Sequence, residues 1–201
     1  MVTRWSTACG FDSGWSDSLE KKDNPNISYA WAGKLLYENG FYAEAISILR
    51  EGMLFDAKDG GTLNNLARYL ATCPEERLRD YDQSLEYARM ALKLAPSTEY
   101  APRTLGVALF RNGEWNEAIG YLKSASESSS GAANYVWYFL AMCYWRLNEN
   151  EKAIEWYDKA VKWSDSQPEN RELIGFRDEA AKLLGIVPKS ESGESALRKG
   201  N

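Results

Sequence analysis

The sequence predicts an all-α protein, a solenoid of four helix–turn–helix repeats closed by one capping helix. Three observations predict it. Four segments align with one another: YAWAGKLLYENGFYAEAISIL from Tyr29, LNNLARYLATCPEERLRDYDQSLEYARMAL from Leu63, PRTLGVALFRNGEWNEAIGYLKSA from Pro102 and WYFLAMCYWRLNENEKAIEWYDKA from Trp137. Self-similarity at a fixed period of about 20–50 residues marks a repeat array. A small residue recurs at the same place in each first helix (Gly33, Ala67, Gly106 and Ala141), at successive intervals of 34, 39 and 35 positions. The segments between apolar-periodic stretches carry helix-ending residues: Asn39-Gly40, Pro74, Asn112-Gly113 and Asn148-Glu149-Asn150.

The elements follow in order. Repeat one covers residues 26–59, and its turn falls at Asn39-Gly40, because glycine supplies the left-handed conformation that ends a helix. Repeat two, 60–98, holds five extra residues, which fit the stretch from Cys73 to Asp80. Pro74 ends its first helix, since proline cannot sit in a helix interior. Repeats three and four cover 99–133 and 134–167. Two helices packed roughly 10 Å apart need residues with little side chain where they cross. Gly33, Ala67, Gly106 and Ala141 meet this need on the first helices, with Ala45, Ser84, Ala118 and Ala153 opposite on the second. Leu36, Leu70, Leu109 and Tyr144 fill the space beside them, near Leu49, Ala88, Leu122 and Tyr157. After Pro168-Glu169-Asn170, the residues Leu173, Phe176, Ala180, Leu183 and Leu184 form one apolar stripe. An array must cover its last open face, so residues 168–186 are expected to be a capping helix. Residues 1–25 read as a flexible segment and 187–201 as a disordered tail. Trp5, Phe11 and Trp15 leave open a docking of the N-terminal segment on repeat one.

Composition narrows function. The chain has 201 residues, a net charge of −5 and no histidine. The acidic balance argues against general affinity for nucleic acid, and no run approaches the roughly 20 apolar residues of a membrane span. Without histidine, neither a serine–histidine triad nor a cysteine–histidine pair is available, and the commonest metal ligand is missing. Carboxylate pairs such as Glu75-Glu76 fall in turns. No enzymatic activity, cofactor or metal is expected. Cys9, Cys73 and Cys143 lack metal-site or redox-motif spacing, which fits a reducing compartment; with no apolar run for a signal peptide, the expectation is cytoplasmic.

Trp137, Leu140, Ala141, Tyr144, Ala153, Tyr157 and Ala160 resemble the pattern W-x2-L-G-x2-Y, then A-x3-F, then A, of tetratricopeptide repeats. Pro96 stands where that family places its proline. The resemblance covers residues 26 to about 167 and implies a right-handed α-solenoid that binds proteins. Within repeat two, NNLARYLATCPEERLRDYDQSLEYARMALKLAP is similar to repeats joined to bacterial serine/threonine protein kinases of planctomycete type. The chain itself has no glycine-rich nucleotide loop and no histidine for a kinase catalytic loop.

In such arrays the first helices line a concave groove. Helical period places Ile27, Ala30, Lys34, Tyr37 and Glu38 there from repeat one, and Asn64, Asn65, Arg68 and Thr72 from repeat two. Repeat three adds Tyr100, Arg103, Thr104, Val107, Phe110 and Arg111; repeat four adds Tyr135, Tyr138, Met142, Trp145 and Arg146. The basic members suit an acidic or carboxylate-bearing peptide, with Asn64 and Asn65 adding donors and acceptors. Phe110, Tyr138, Met142 and Trp145 form an expected aromatic wall for a partner, although the capping helix competes for Phe139 and Trp145. Some family members hold chaperone tails in a carboxylate clamp. Its positions here would be Ala30, Lys34, Asn65, Tyr100 and Thr104, of which Asn65 alone has the expected type, and that departure argues against chaperone-tail binding. The expected function is a non-enzymatic scaffold holding an acidic peptide. The alternative is a regulatory or assembly appendage, for example of a kinase, that uses its convex face or edges.

Overall fold

Helix α1 (Tyr29–Glu38) ends at Asn39, and three of the four hairpin turns end their first helix in one way. Gly40, Gly113 and Asn148 take positive φ of 86°, 81° and 61°. In each turn the residue at positive φ donates its N–H three residues back, and the next residue donates five back: Phe41 to Leu36, Glu114 to Leu109, and Glu149 to Tyr144. These paired bonds satisfy carbonyls that the helix end would leave bare. Asn148 is the one non-glycine residue at positive φ among the described residues, and asparagine tolerates that conformation best.

The computed structural model describes residues 28–128, 134–167 and 171–186. After α1 come α2 (Tyr42–Phe55), α3 (Gly60–Thr72), a short 3-10 turn (Glu76–Leu78), α4 (Tyr81–Leu94) and α5 (Tyr100–Arg111). Then follow α6 (Trp115–Ser128), α7 (Val136–Arg146), α8 (Asn150–Ser164) and α9 (Arg171–Leu184). The first helix of repeat two ends just before Pro74, and the longer turn that follows contains the 3-10 segment. Asp59 and Asp80 cap α3 and α4 by accepting from the Gly61 and Gln83 amides at 3.0 Å, and the Gln83 side chain returns a bond to Asp80 at 2.7 Å. The expectations for residues 1–25 and 187–201, the docking of Trp5, Phe11 and Trp15, and the groove position of Ile27 all lie outside the described residues.

Helices pair as hairpins α1–α2, α3–α4, α5–α6 and α7–α8, and each hairpin stacks on the next. The small residues meet as the alignment requires. Ala45, Ala67, Ser84, Ala118, Ala141 and Ala153 are fully buried, and the Ser84 hydroxyl donates to the Ala67 carbonyl at 2.8 Å. Cys143 is buried among apolar residues, and burial pushes its thiol up to about 12.

The first helices α1, α3, α5 and α7 also touch side by side and form one face. Helices α3, α5 and α7 each rest more on the second helix of the preceding hairpin than on the first; α9 reverses this, lying more on α7 than on α8. The capping helix therefore leans over the face of the first helices. Among the described residues, no helix is long and apolar enough to cross a membrane.

Candidate functional site

Helical period brings residues one turn apart on α3 (Asn64, Asn65, Arg68) and on α5 (Tyr100, Arg103, Thr104) to the same face, with Lys34 of α1 and Tyr135 at either side. Together with Gly61 they line a pocket of about 400 Å³. Eight groove residues expected from the sequence thus share one pocket: Lys34, Asn64, Asn65, Arg68, Tyr100, Arg103, Thr104 and Tyr135.

Their roles differ. The Asn65 amide donates to the Ala30 carbonyl at 2.9 Å and ties α3 to α1. Asn64 is 6% exposed, and its amide oxygen is buried with no hydrogen-bond partner. A buried polar atom without a partner carries a desolvation cost that a donor from a ligand would relieve. Arg103 lies 5.8 Å from the Tyr135 ring centre, and no carboxylate among the described residues pairs with it. Burial pushes the Tyr135 phenol up, while Arg103 and Arg68 pull it down. Lys34 faces Glu38 at 3.7 Å with both side chains more than half exposed, an arrangement that holds the ammonium only weakly.

Two of the expected basic residues are held by the capping helix. Arg68 meets Glu172 of α9 at 2.6 Å, and the Thr72 hydroxyl lies 3.5 Å from the same carboxylate. Arg111 grips Glu179 with both terminal nitrogens and donates its Nε to the Ala71 carbonyl at 2.9 Å. Its side chain is 7% exposed. Arg111 is a fixed strut under α9, not a free groove cation. The sequence held a signal for this. Glu172 and Glu179 stand seven positions apart on either side of Phe176 along the apolar stripe, facing a row of arginines.

Tyr37 stacks on Tyr69, with ring centres 3.7 Å apart, and is nearly buried. Burial and the Glu172 charge push its phenol far up, against the pull of Arg68. The expected aromatic wall is corrected. Tyr138 and Met142 are fully buried; Tyr138 packs on Tyr157 and shares a hydrogen bond with the Ser164 hydroxyl at 2.8 Å. That arc of α7 faces α8, inside the hairpin, so it presents nothing to a partner. Phe110 is nearly buried, edge-on to Phe139 at 5.6 Å, and Phe176 of α9 covers Phe139 at 5.0 Å. Trp145 is half-buried against the same core.

A family model described as "Tetratricopeptide repeat" matches residues 75–133 and 103–170. A curated relative, Protein FLUORESCENT IN BLUE LIGHT, chloroplastic, from Arabidopsis thaliana, is 29% identical over 143 residues, 68% of this chain and 42% of that protein. This chain therefore spans less than half of the relative's length. Among solved structures, a MamA RS-1 ArsTM double mutant superposes with a TM-score of 0.56 at 20% identity, covering 83% of this chain and 94% of that one. YrrB, "a TPR protein with an unusual peptide-binding site", gives 0.55 at 14% identity, with 84% and 91% covered. Pseudomonas aeruginosa PilF gives 0.54 at 19%, with 77% and 66% covered. At these identities the likeness concerns the fold. Over residues 75–170 the chain is similar to tetratricopeptide repeats, and its fold is an α-solenoid of helix–turn–helix repeats like that of the solved neighbours.

Proposed function

We propose that the chain is a non-enzymatic interaction scaffold that holds an acidic peptide segment in the pocket between α1, α3 and α5. Tetratricopeptide repeats serve in general as interaction scaffolds, and the peptide-binding site named for YrrB supports the reading. The observation that carries it is the meeting of Lys34, Asn64 and Arg103 on one pocket, with the Asn64 amide oxygen buried and unpartnered. Lys34 and Arg103 suit carboxylates of the peptide, and Asn64 accepts from a peptide N–H once its side chain turns toward the pocket. Stacking of rigid hairpins preorganises the pocket, so most of the ordering cost falls on the peptide.

The test is fluorescence anisotropy with short acidic and basic peptide libraries, using the wild-type chain and Lys34→Glu/Arg103→Glu, with folding checked by circular dichroism. Arg68 is left intact because it also holds α9. Wild type should select acidic peptides, and the affinity should fall with added salt. The double variant should lose that selection by at least about tenfold, since each contact is charge-assisted. Equal binding by both chains would remove the site from this pocket.

A second reading has its own observation. Leu54 and Phe55 at the end of α2 are 86% and 64% exposed, and Trp31 of α1 is 52% exposed. An apolar edge of this kind suits an assembly appendage, such as an accessory to a kinase, that meets its partner outside the groove. Leu54→Ser/Phe55→Ser would abolish assembly under this reading and leave peptide selection unchanged.

A further inference from the structure

We propose that the face beneath α9 is itself a docking site for an amphipathic helix of a partner, and that α9 keeps this site closed until such a helix replaces it. The partner helix would carry two carboxylates seven positions apart with an aromatic residue between them. This goes beyond the pocket proposed above, although the two surfaces share Arg68 and Tyr135.

The face fits that description residue by residue. Arg68 and Arg111 stand as two cationic posts that receive Glu172 and Glu179. Between them lie Phe139 and Tyr135, which receive the Phe176 ring at 5.0 and 5.4 Å. Arg111 is also held in place: its Nε bonds the Ala71 carbonyl, and its guanidinium lies 5.5 and 5.4 Å from the centres of Phe110 and Phe139. The site is thus preorganised for planar, two-pronged recognition of a carboxylate.

α9 buries Phe176, Ala180, Ala181 and Leu184 and packs chiefly on α7, whereas α2 to α7 each pack on a hairpin partner and on a neighbouring hairpin. Cavities of about 650, 560 and 310 Å³ each border α9 residues. Ile174 is left 42% exposed. Gly175 sits inside the helix, yet a Cβ added there would meet nothing within 4 Å. No packing demands that glycine, and it weakens the helix that carries it. Departure of α9 alone would uncover Phe139, which is fully buried, together with the charge of Arg111. An empty site is costly, so α9 exchanges for a helix that repeats its pattern.

The test uses the full chain and a fluorescein-labelled synthetic peptide of residues 171–186 as the probe. Glu172→Gln/Glu179→Gln in the chain, shown folded by circular dichroism, loosens the built-in helix. It should bind the probe about tenfold more tightly than wild type, since the open fraction sets the apparent affinity. Gly175→Ala in the chain should bind it about two- to fivefold more weakly than wild type, because it strengthens α9. A probe with both glutamates changed to glutamine should bind none of them. Adding Lys34→Glu alone to the loosened chain should leave probe affinity unchanged, since Lys34 touches Glu38 and not the α9 site; a loss there would put the probe in the peptide pocket and overturn this inference alone. Equal binding by all three chains, or by none, would overturn it as well. Light scattering of an equimolar mixture of the wild-type and loosened chains completes the test: a doubled mass would make a second copy's intact α9 the occupant, against a partner helix, whereas monomers support it.

Discussion

Glycines inside two kinds of helix, a repeat helix and the capping helix, play opposite parts. In the α5–α6 hairpin, a Cβ on Gly106 would lie 2.7 Å from the Leu122 side chain and 3.2 Å from its backbone nitrogen, and Gly33 meets Leu49 at 2.5 Å in the same way. On α9, Gly175 faces open space. At Gly33 and Gly106, glycine allows two helices of a hairpin to approach, and shape complementarity holds the stack. Over the first helices, α9 is held by two arginine–glutamate pairs, a few rings and the buried Ala180, Ala181 and Leu184, with cavities along its borders. The difference separates a solenoid that is built once from a helix that can be exchanged.

The largest expected effect breaks the tight side of this comparison. Gly106→Leu should wedge the third hairpin open and destabilise the chain by about 3 kcal/mol or more, read as a lower urea midpoint. An unchanged midpoint would mean that α5 and α6 do not cross at this residue. Ser84→Ala removes the hydroxyl's bond to the Ala67 carbonyl, which keeps its helical bond within α3. A loss of about 0.5–1.5 kcal/mol in the same assay is expected. Gly175→Ala sharpens the loose side: it should stabilise the helix by about 0.5–1 kcal/mol, read as slower amide exchange confined to residues 171–186.

The turns were legible because their causes are local. Gly40, Gly113 and Asn148 end helices by their own backbone conformation, and Pro74 by lacking an N–H. The pocket residues Lys34, Asn64, Asn65 and Arg103 were legible because a 3.6-residue period places them on one face. The aromatic wall was not. Tyr138 lies three positions from Tyr135, and that small rotation decides whether a ring faces the groove or the neighbouring helix α8. Arg68 and Arg111 read as groove cations because their partners lie 104 and 68 positions away, and the path of α9 depends on tertiary packing that local spacing does not encode. The first helices predict a face, but not what rests on it.

The most direct measurement of the central claim is native-state hydrogen exchange followed by mass spectrometry on the intact chain. If α9 is an exchangeable occupant over a rigid stack, amides of residues 171–186 should open at a lower free energy than those of α3 to α8, and Glu172→Gln/Glu179→Gln should lower only theirs. If α9 and the hairpins share one protection level and fall together in the variant, the helix is an integral end of the solenoid and does not exchange for a partner.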